Sequence, residues 1–379
     1  AGEPSGDILG CELINALKKD NPDHRFEGIA GPEMIKAGCV PWFHVSELSV
    51  MGIFGVLRHL PRILGIRNKL FKKILDNPPD AFIGIDYPDF NLGLEKKLKK
   101  KNIKTIHMVA PSFWAWREGR VKTIKESVDL LLCLFPFEES LLKNHSINTQ
   151  FIGHPLAKSI EKNIDMLSVR RDLGIQTETL IAIMPGSRKA EINQHMEILF
   201  EAAELIEQES NKNNNGDIQF IVPTVFSESE EILKHSKPKL SKKFHFTKNS
   251  TKAISASDLV ITKSGTSTLQ AALHKKPMIV VYRMSNATYY FLKIFNLVKT
   301  KYAALPNILF DDEIVPELIQ DNFTPNNIYQ ESLKWLSNSQ RKDKLISKFD
   351  LMHENLVSNS TSHGAEAIME LITPIKNTQ

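Results

Sequence analysis

The chain has 379 residues, of which 42% are hydrophobic and 24% charged, and its formal net charge is +4. This composition is typical of soluble globular proteins, and the length predicts two domains of similar size. A charge this small gives no reason to expect nucleic acid as a partner. The three cysteines include no C-x-x-C pair, so neither a disulfide framework nor a zinc site is predicted. No apolar run approaches the roughly 20 residues that span a bilayer, and we expect a cytoplasmic protein.

Strands and helices alternate through the first half of the chain. AGEPSGD is a glycine-containing turn that leads directly into a helical pattern at 8–18. Such a turn is typical of the first strand-to-helix connection of a doubly wound domain, so we expect that the first strand is missing from this sequence. The predicted strands are 26–30, 81–85, 104–110, 128–135 and 150–152. Their alternation with helices predicts a parallel sheet that is covered on both faces.

The second half repeats this alternation and ends in helices. Its predicted strands are 180–184, 218–223, 243–246, 259–262 and 278–282. We therefore predict an α/β protein with two Rossmann-like domains, at 1–160 and 161–345, that face each other across a cleft. The helices expected at 346–379 can pack back on the first domain.

The stretch LIAIMPGSRKAE at 180–191 predicts a ligand site. Its buried strand ends at Pro185 and Gly186, and a helical pattern follows directly. Such a turn points unpaired N–H groups and the positive end of the helix dipole at one place, where Ser187 and Arg188 add a hydroxyl and a cation. A phosphate group fits this chemistry. Taken alone, the pattern favours an ordinary loop with a solvated arginine.

A second turn of this kind, KSGTSTLQ, lies at 263–270. Gly265 permits a tight turn, Thr266 can cap the helix, and Gln270 lies one turn further on, within reach of a sugar hydroxyl. Two such turns in one domain favour a nucleotide diphosphate as ligand. Neither G-x-x-x-x-G-K-[ST] nor G-x-G-x-x-G occurs, which argues against an ATPase and a simple dehydrogenase.

A carboxylate follows the predicted strand at 81–85. Asp86 lies at the carboxyl end of this strand, a position suited to a general base, whereas Asp89 precedes a helical pattern and is better placed to cap it. The loop PSFWAWR at 111–117 is either a sugar platform or ordinary packing, and the two alternatives are equally supported.

The segment MGIFGVLRHLPRILGIRNKLFKK at 51–73 combines apolar with basic side chains. Glycine and proline break its helical pattern, and it has more apolar residues than one core-facing stripe needs. This profile predicts an interfacial segment that enters an anionic membrane surface, and the alternative is a core helix with a solvated basic face. The predicted membrane or acyl contacts are Phe54, Val56, Leu57, Leu60, Ile63 and Leu64.

Together these motifs resemble the lipid-A-disaccharide synthase family, which are membrane-associated glycosyltransferases of lipid A and lipopolysaccharide synthesis in Gram-negative bacteria. The resembling motifs are GEPSGD at 2–7, GIAGPEM at 28–34, ELSVMGI at 47–53, GIDYPDFN at 84–91, PSFWAWR at 111–117, FIGHPL at 151–156, PGSR at 185–188, SGT at 264–266, YRM at 282–284 and LPN at 305–307. The resemblance implies a GT-B fold and an inverting transfer that needs neither a metal nor a cofactor. It implies that UDP-2,3-diacylglucosamine and 2,3-diacylglucosamine 1-phosphate are joined by a β-1′,6 linkage, with release of UDP.

The resemblance also implies roles for single residues. Asp86 would be the catalytic base, Arg188 would hold the diphosphate, and Glu3 would face the cleft. The expected UDP-sugar contacts are Gly186, Ser187, Arg188, Ser264, Gly265, Thr266, Gln270, Arg283 and Asn307. Related enzymes carry Glu at the position of Gln270, so we expect a weaker contact with the ribose hydroxyls here.

The expected location is the cytoplasmic surface of the inner membrane, with peripheral association, and the resemblance allows a homodimer. The sequence leaves two alternatives open. One is another UDP-sugar enzyme of the same fold, such as a sugar 2-epimerase, against which the segment at 51–73 argues because a soluble sugar needs no membrane contact. The other is a catalytically silent lipid-binding protein of the membrane surface.

Overall fold

The structure is a computed structural model, and the chain divides into two compact units. It describes residues 1–48, 53–111, 119–186, 189–213, 216–223, 230, 237–285, 289, 300–357 and 361–373. Unit 1 consists of Ala1–Pro155 and Asn355–Gln379, and unit 2 consists of Leu156–Glu354. Within the described ranges, no helix is both long and apolar enough to cross a membrane.

Unit 1 is built on parallel strands, as the alternation of the sequence predicts. Its strands are β1 (Phe26–Ala30), β2 (Cys39–His44), β3 (Ala81–Ile85), β4 (Lys104–Met108), β5 (Leu130–Cys133) and β6 (Thr149–Phe151). One sheet has the order β3-β4-β5-β6, and β1 pairs with β2 in a second sheet. Both sheets are parallel. The strand β2 is not predicted by the sequence pattern.

Unit 2 contains one sheet of six parallel strands, so all its strands are joined by crossover connections. Its strands are β7 (Thr179–Met184), β8 (Ile218–Pro223), β9 (Phe244–Thr247), β10 (Leu259–Lys263), β11 (Met278–Tyr282) and β12 (Glu317–Ile319). They lie in the order β12-β11-β10-β7-β8-β9, so the direction of winding reverses between β7 and β10. In open α/β sheets, ligands bind outside the carboxyl ends of the strands at such a reversal.

Helices connect the strands in both units, and the last three follow the final strand. The helices are α1 (Pro4–Asp20), α2 (Pro32–Lys36), α3 (Ile53–Asp76), α4 (Pro88–Lys99), α5 (Arg120–Ser127), α6 (Pro136–Lys143), α7 (Pro155–Ser159), α8 (Met166–Asp172), α9 (Lys189–Asn213), α10 (Pro238–Ser241), α11 (Ser250–Ala256), α12 (Thr266–Leu273), α13 (Leu305–Phe310), α14 (Pro325–Ser337), α15 (Ser339–Val357) and α16 (Thr361–Ile372). The chain leaves unit 2 within α15, and α16 belongs to unit 1.

The last helix of the described chain packs into the core of unit 1. Ala365 and Ile368 of α16 share an apolar cluster with Leu9 and Leu13 of α1. Because these side chains are almost fully buried, α16 contributes to the hydrophobic stabilisation of unit 1. A cavity of about 510 Å³ is lined by residues of α1, α3, β1 and β3.

An ion pair between a buried arginine and a partly exposed aspartate joins the amino ends of β7 and β10 in unit 2. Arg170 of α8 is 5% exposed, and its guanidinium pairs with the Asp258 carboxylate and donates to the Ala256 carbonyl at 2.7 Å. Asp258 precedes β10, and its carboxylate also accepts the N–H of Leu180 in β7 at 2.8 Å. A buried charge is tolerated only when its partners are in place, so this end of the sheet depends on both residues.

Candidate functional site

Two glycine turns follow neighbouring strands at the point where the sheet of unit 2 reverses. Met184 at the end of β7 lies opposite Thr262 of β10 in the parallel register. The chain therefore turns at Gly186 and at Gly265 from the same edge of the sheet. Both glycines have positive φ angles, 127° and 141°, a region in which a side chain would be strained.

An ion pair connects these two turns. Glu191, in the first turn of α9, accepts from the Lys263 ammonium at 2.9 Å, and the side chains are 15% and 20% exposed. The Glu191 carboxylate also lies against Gly186, where an added Cβ would come within 2.5 Å of Oε2. Neither charged residue is predicted as a site residue by the sequence. Ser187 and Arg188, which the sequence predicts as phosphate contacts, lie outside the described residues.

The second turn opens helix α12. Gly265 is the N-cap residue and Thr266 begins the helix, so the expectation that Thr266 caps it is wrong. The Ser264 hydroxyl donates to the carbonyl oxygen of Ala303 at 2.7 Å and holds the segment that precedes α13. Gln270 is half-buried one turn into α12. Its contact with a sugar stays a prediction.

Arg283 and Asn307, two of the expected donor contacts, stabilise the backbone of unit 2. Arg283 donates through Nη2 to the carbonyls of Gln320 and Phe323, at 3.2 and 2.8 Å. Asn307 is fully buried and exchanges hydrogen bonds with the backbone of Val315, at 2.8 and 3.0 Å. The expectation that the Asn307 side chain lines the site is therefore corrected, since no part of it reaches the surface.

A histidine that the sequence pattern does not identify joins the first glycine turn to the loop after β11. His195 of α9 is fully buried, and its Nδ1 lies 2.8 Å from the carbonyl oxygen of Pro185. Its Nε2 lies 3.2 Å from both the backbone nitrogen and the carbonyl oxygen of Arg283. The imidazole fixes two segments that leave the carboxyl edge of the sheet.

Unit 1 has strained backbone at the carboxyl ends of two neighbouring strands. Asp86 and Tyr87, directly after β3, have φ angles of 52° and 48°, and Val109, directly after β4, has a φ of 80°. A β-branched residue with positive φ is an outlier, and such strain is concentrated at functional sites. The Asp86 N–H donates to the carbonyl of Met108 at 2.8 Å, which ties the two strand ends together.

The first glycine-containing turn of the chain lies beside Tyr87. An added Cβ on Gly2 would come within 2.4 Å of the Tyr87 ring, and Glu3 is exposed at the N-cap of α1. Burial raises the pKa of Tyr87, and the charges of Glu3 and Asp89 raise it further. The prediction that Asp89 caps α4 is wrong, because Tyr87 is the N-cap residue and Asp89 lies in the first turn of the helix. Its exposed carboxylate pairs with Arg120 at 2.7 Å.

The sequence matches the family described as lipid-A-disaccharide synthetase over residues 1–369. The chain belongs to the lipid-A-disaccharide synthetase family. It is 40% identical to a lipid-A-disaccharide synthase of Methylobacillus flagellatus over 378 residues, which cover 98% of each protein. A relative from Xanthomonas campestris is also 40% identical, over 98% of this chain and 85% of that protein, and one from Acinetobacter baylyi is 38% identical over 98% and 95%.

Solved structures confirm the predicted GT-B fold class for this member of the synthetase family. MurG of Acinetobacter baumannii matches with a TM-score of 0.55 at 14% identity, and the match covers 96% of this chain and 96% of that chain. CalG4, the calicheamicin glycosyltransferase, has a TM-score of 0.59 at 12% identity, with 99% of this chain and 97% of that chain covered. Family membership confirms the enzyme class expected from the motifs, a glycosyltransferase of lipid A synthesis.

Residues 53–73 of the basic apolar segment lie in helix α3, with Pro61 inside it. Ile63 is only 5% exposed and packs in the core of unit 1, so the expectation that it contacts a membrane or an acyl chain is wrong. Leu60 and Leu64 are 41% and 36% exposed, and the Arg62 side chain between them is also exposed. The helix therefore has one face in the core and a separate face with apolar and basic groups.

The side chains of Phe54, Val56 and Leu57 lie outside the described part of α3, although their backbone is helical. Residues 112–118, which include most of the PSFWAWR motif, are likewise outside the described ranges.

Proposed function

We propose that the chain transfers 2,3-diacylglucosamine from UDP-2,3-diacylglucosamine to 2,3-diacylglucosamine 1-phosphate, forming a β-1′,6-linked disaccharide 1-phosphate and UDP. The observation that carries this proposal is the reversal of the sheet between β7 and β10, where the turns at Gly186 and Gly265 leave one edge. Helices α9 and α12 begin just after these turns. Helix N-termini bind phosphate because their N–H groups are unpaired and their dipole is positive there. A diphosphate suits such a pair of turns.

The donor contacts follow from this placement. Arg188 and Ser187 lie between the first turn and α9 in the sequence, so their side chains supply a cation and a hydroxyl to the diphosphate. Lys263 adds a second cation beside the same turn through its pairing with Glu191. Gln270 bonds the ribose from α12. Arg283 is partly exposed and remains a donor contact, whereas Asn307 acts on the site by holding the surrounding backbone.

The acceptor chemistry is assigned to Asp86 of unit 1. Its carboxylate takes the proton of the acceptor 6-hydroxyl as that oxygen attacks the anomeric carbon of the donor. The bond from the anomeric carbon to the diphosphate oxygen breaks at the same time, which inverts the configuration. Arg188 and the two helix N-termini stabilise the charge on the departing UDP. Glu3, next to Tyr87, is the alternative base.

Helix α3 is assigned to contact with the cytoplasmic surface of the inner membrane. Leu60 and Leu64 present apolar surface, and the exposed basic side chains of α3 favour anionic lipid headgroups. This contact supports the proposed substrates, because both carry acyl chains that partition into a bilayer.

The decisive measurement is the release of UDP from UDP-2,3-diacylglucosamine by the purified chain, with and without the acceptor. We expect stoichiometric UDP and disaccharide only when both substrates are present. Epimerised donor without disaccharide would indicate a sugar 2-epimerase. Lipid binding without UDP in either condition would indicate a catalytically silent lipid-binding protein.

A further inference from the structure

The left-handed turn at Asp86 and Tyr87 is held by a small number of hydrogen bonds. Two consecutive residues other than glycine in this conformation persist only when their surroundings fix them. The Asp86 N–H is fixed by the end of β4, through the Met108 carbonyl at 2.8 Å. The Asp86 carbonyl accepts the side-chain amide of Asn91 at 2.7 Å. Asn91 therefore supplies the side-chain contact that fixes the peptide of Asp86.

Asn91 is itself firmly placed in α4. It is 6% exposed, and its amide also lies 3.4 Å from the carbonyl oxygen of Ile85. Gly84 in β3 permits this approach, because an added Cβ there would come within 3.0 Å of the Asn91 Cβ. One turn later on α4, Glu95 Oε1 lies 2.8 Å from Nδ1 of His107 in β4, and both side chains are fully buried. Helix α4 is thus anchored to the sheet at two successive turns.

The Asp86 carboxylate is oriented by the same turn. Its Oδ1 accepts the N–H of Tyr87 at 2.8 Å, so this oxygen is held by the backbone of the turn. Among the described residues, none bonds Oδ2. The geometry leaves that oxygen to take up a proton from a ligand.

We propose that Asn91 is the positioning residue of the catalytic carboxylate, since its amide fixes the peptide of Asp86 and thereby the direction of Oδ2. This inference rests on the proposed function, in which Asp86 is the base. Asn91 does not contact the substrate in this role. Its loss changes the alignment of the base with the acceptor hydroxyl and leaves the donor turns of unit 2 unaffected.

The test compares Asn91→Ala and Asn91→Asp with the wild-type chain in the UDP-release assay. Misalignment of a base by about 1 Å costs up to roughly 100-fold, so Asn91→Ala should lower kcat by about 10- to 100-fold with an unchanged KM for the donor. Asn91→Asp is nearly isosteric, but an ionised carboxylate cannot donate to the Asp86 carbonyl and adds a like charge nearby. Because a like charge disfavours the ionised form of Asp86, the acidic limb of the kcat/KM pH profile should lie at higher pH in Asn91→Asp than in the wild-type chain.

Glu95→Gln is the matched control, because it weakens the other anchor of α4 and keeps the Asn91 amide. Positioning by Asn91 predicts that this control loses thermal stability with little loss of kcat. Equal losses of kcat in Glu95→Gln and Asn91→Ala would overturn the proposal and leave a purely structural role for Asn91. An unchanged kcat in a folded Asn91→Asp variant would also overturn it. Absence of UDP release from the wild-type chain would instead refute the proposed function, and the positioning role with it.

Discussion

Glu191 and Lys263 form an ion pair, with 2.9 Å between Oε1 and Nζ, that links the two glycine turns of unit 2 across 72 residues of sequence. The pair places one negative and one positive charge beside the turns to which a diphosphate is assigned. A bound anion interacts oppositely with the two partners.

Single substitutions in this pair should therefore change the affinity for UDP in opposite directions. Lys263→Met leaves the Glu191 carboxylate uncompensated and should weaken UDP binding by about 1 to 2 kcal/mol, roughly 5- to 30-fold in Kd. Glu191→Gln leaves the cation in place and should maintain or strengthen binding. Calorimetric titration with UDP checks both variants. Weaker binding in both would show that the pair acts by holding the turns rather than by its charges.

Substitution of the two acidic residues near β3 should separate catalysis from surface pairing. Asp86→Asn keeps the shape of the side chain and removes its basicity, so the chemical step should slow by about 10² to 10⁴-fold with unchanged UDP binding. Asp89→Asn breaks only an exposed pair with Arg120 and should have a small effect. Single-turnover rates measure the difference. If the rate falls for Asp89→Asn alone, the assignment of the base is reversed, and if neither falls, Glu3 is the next candidate.

Membrane contact through α3 should depend on its exposed leucines. The double variant Leu60→Ser, Leu64→Ser should lose binding to anionic vesicles in a sedimentation assay and keep the thermal stability of the wild-type chain. Ile63→Ser is the control, because it lies on the same helix but in the core and should cost about 2 to 5 kcal/mol of stability. Retained vesicle binding by the folded double variant would show that Leu60 and Leu64 are not the membrane contacts.

The stability of the protein should fall in mild acid because of His274. Both of its ring nitrogens are buried without a hydrogen-bond partner among the described residues, and burial, followed by Lys276, His353 and Lys275, lowers its pKa to about 4. The unfolded imidazole takes up its proton near pH 6.5, so the free energy of unfolding declines as the pH falls from about 6.5 to 4. The full loss is about 3 kcal/mol, and no further loss comes from this group below pH 4.

Denaturant unfolding at several pH values checks this prediction with His274→Leu as the comparison. The variant should have a shallower decline of stability between pH 6.5 and 4, because leucine has no proton to bind. The same slope in both proteins would contradict the assignment to His274.

The long buried strands are predictable from sequence because they are continuous apolar runs. The run at 180–184 becomes β7, and the run at 278–282 becomes β11, with boundaries within a residue of those predicted. By contrast, β2 contains Pro41 and is largely exposed, and β12 has only three residues, so neither has a recognisable run. Both are outer strands of their sheets.

Local motifs predict the turns of the site but not the side chains that support them. Gly186 and Gly265 are identifiable because positive φ angles after a strand favour glycine. The contacts of His195 with Arg283 and of Glu191 with Lys263 join residues 88 and 72 positions apart, and no local pattern encodes such pairs. Asn307 is the opposite case, a predicted ligand contact that the structure does not support. The sequence shows a polar residue in a motif, but it does not show that the side chain is fully buried.

The pairing of Arg170 with Asp258 gives the two ends of the unit 2 sheet separate tasks. The amino ends of β7 and β10 are held by a buried cation, and the turns for the diphosphate leave the opposite ends of the same strands. A substitution of Arg170 that weakens this ion pair should therefore give a temperature-sensitive allele. The variant enzyme should keep its turnover number at low temperature, because the turns for the diphosphate are unchanged. On warming it should unfold, so the growth temperature would set the supply of the product without any inhibitor.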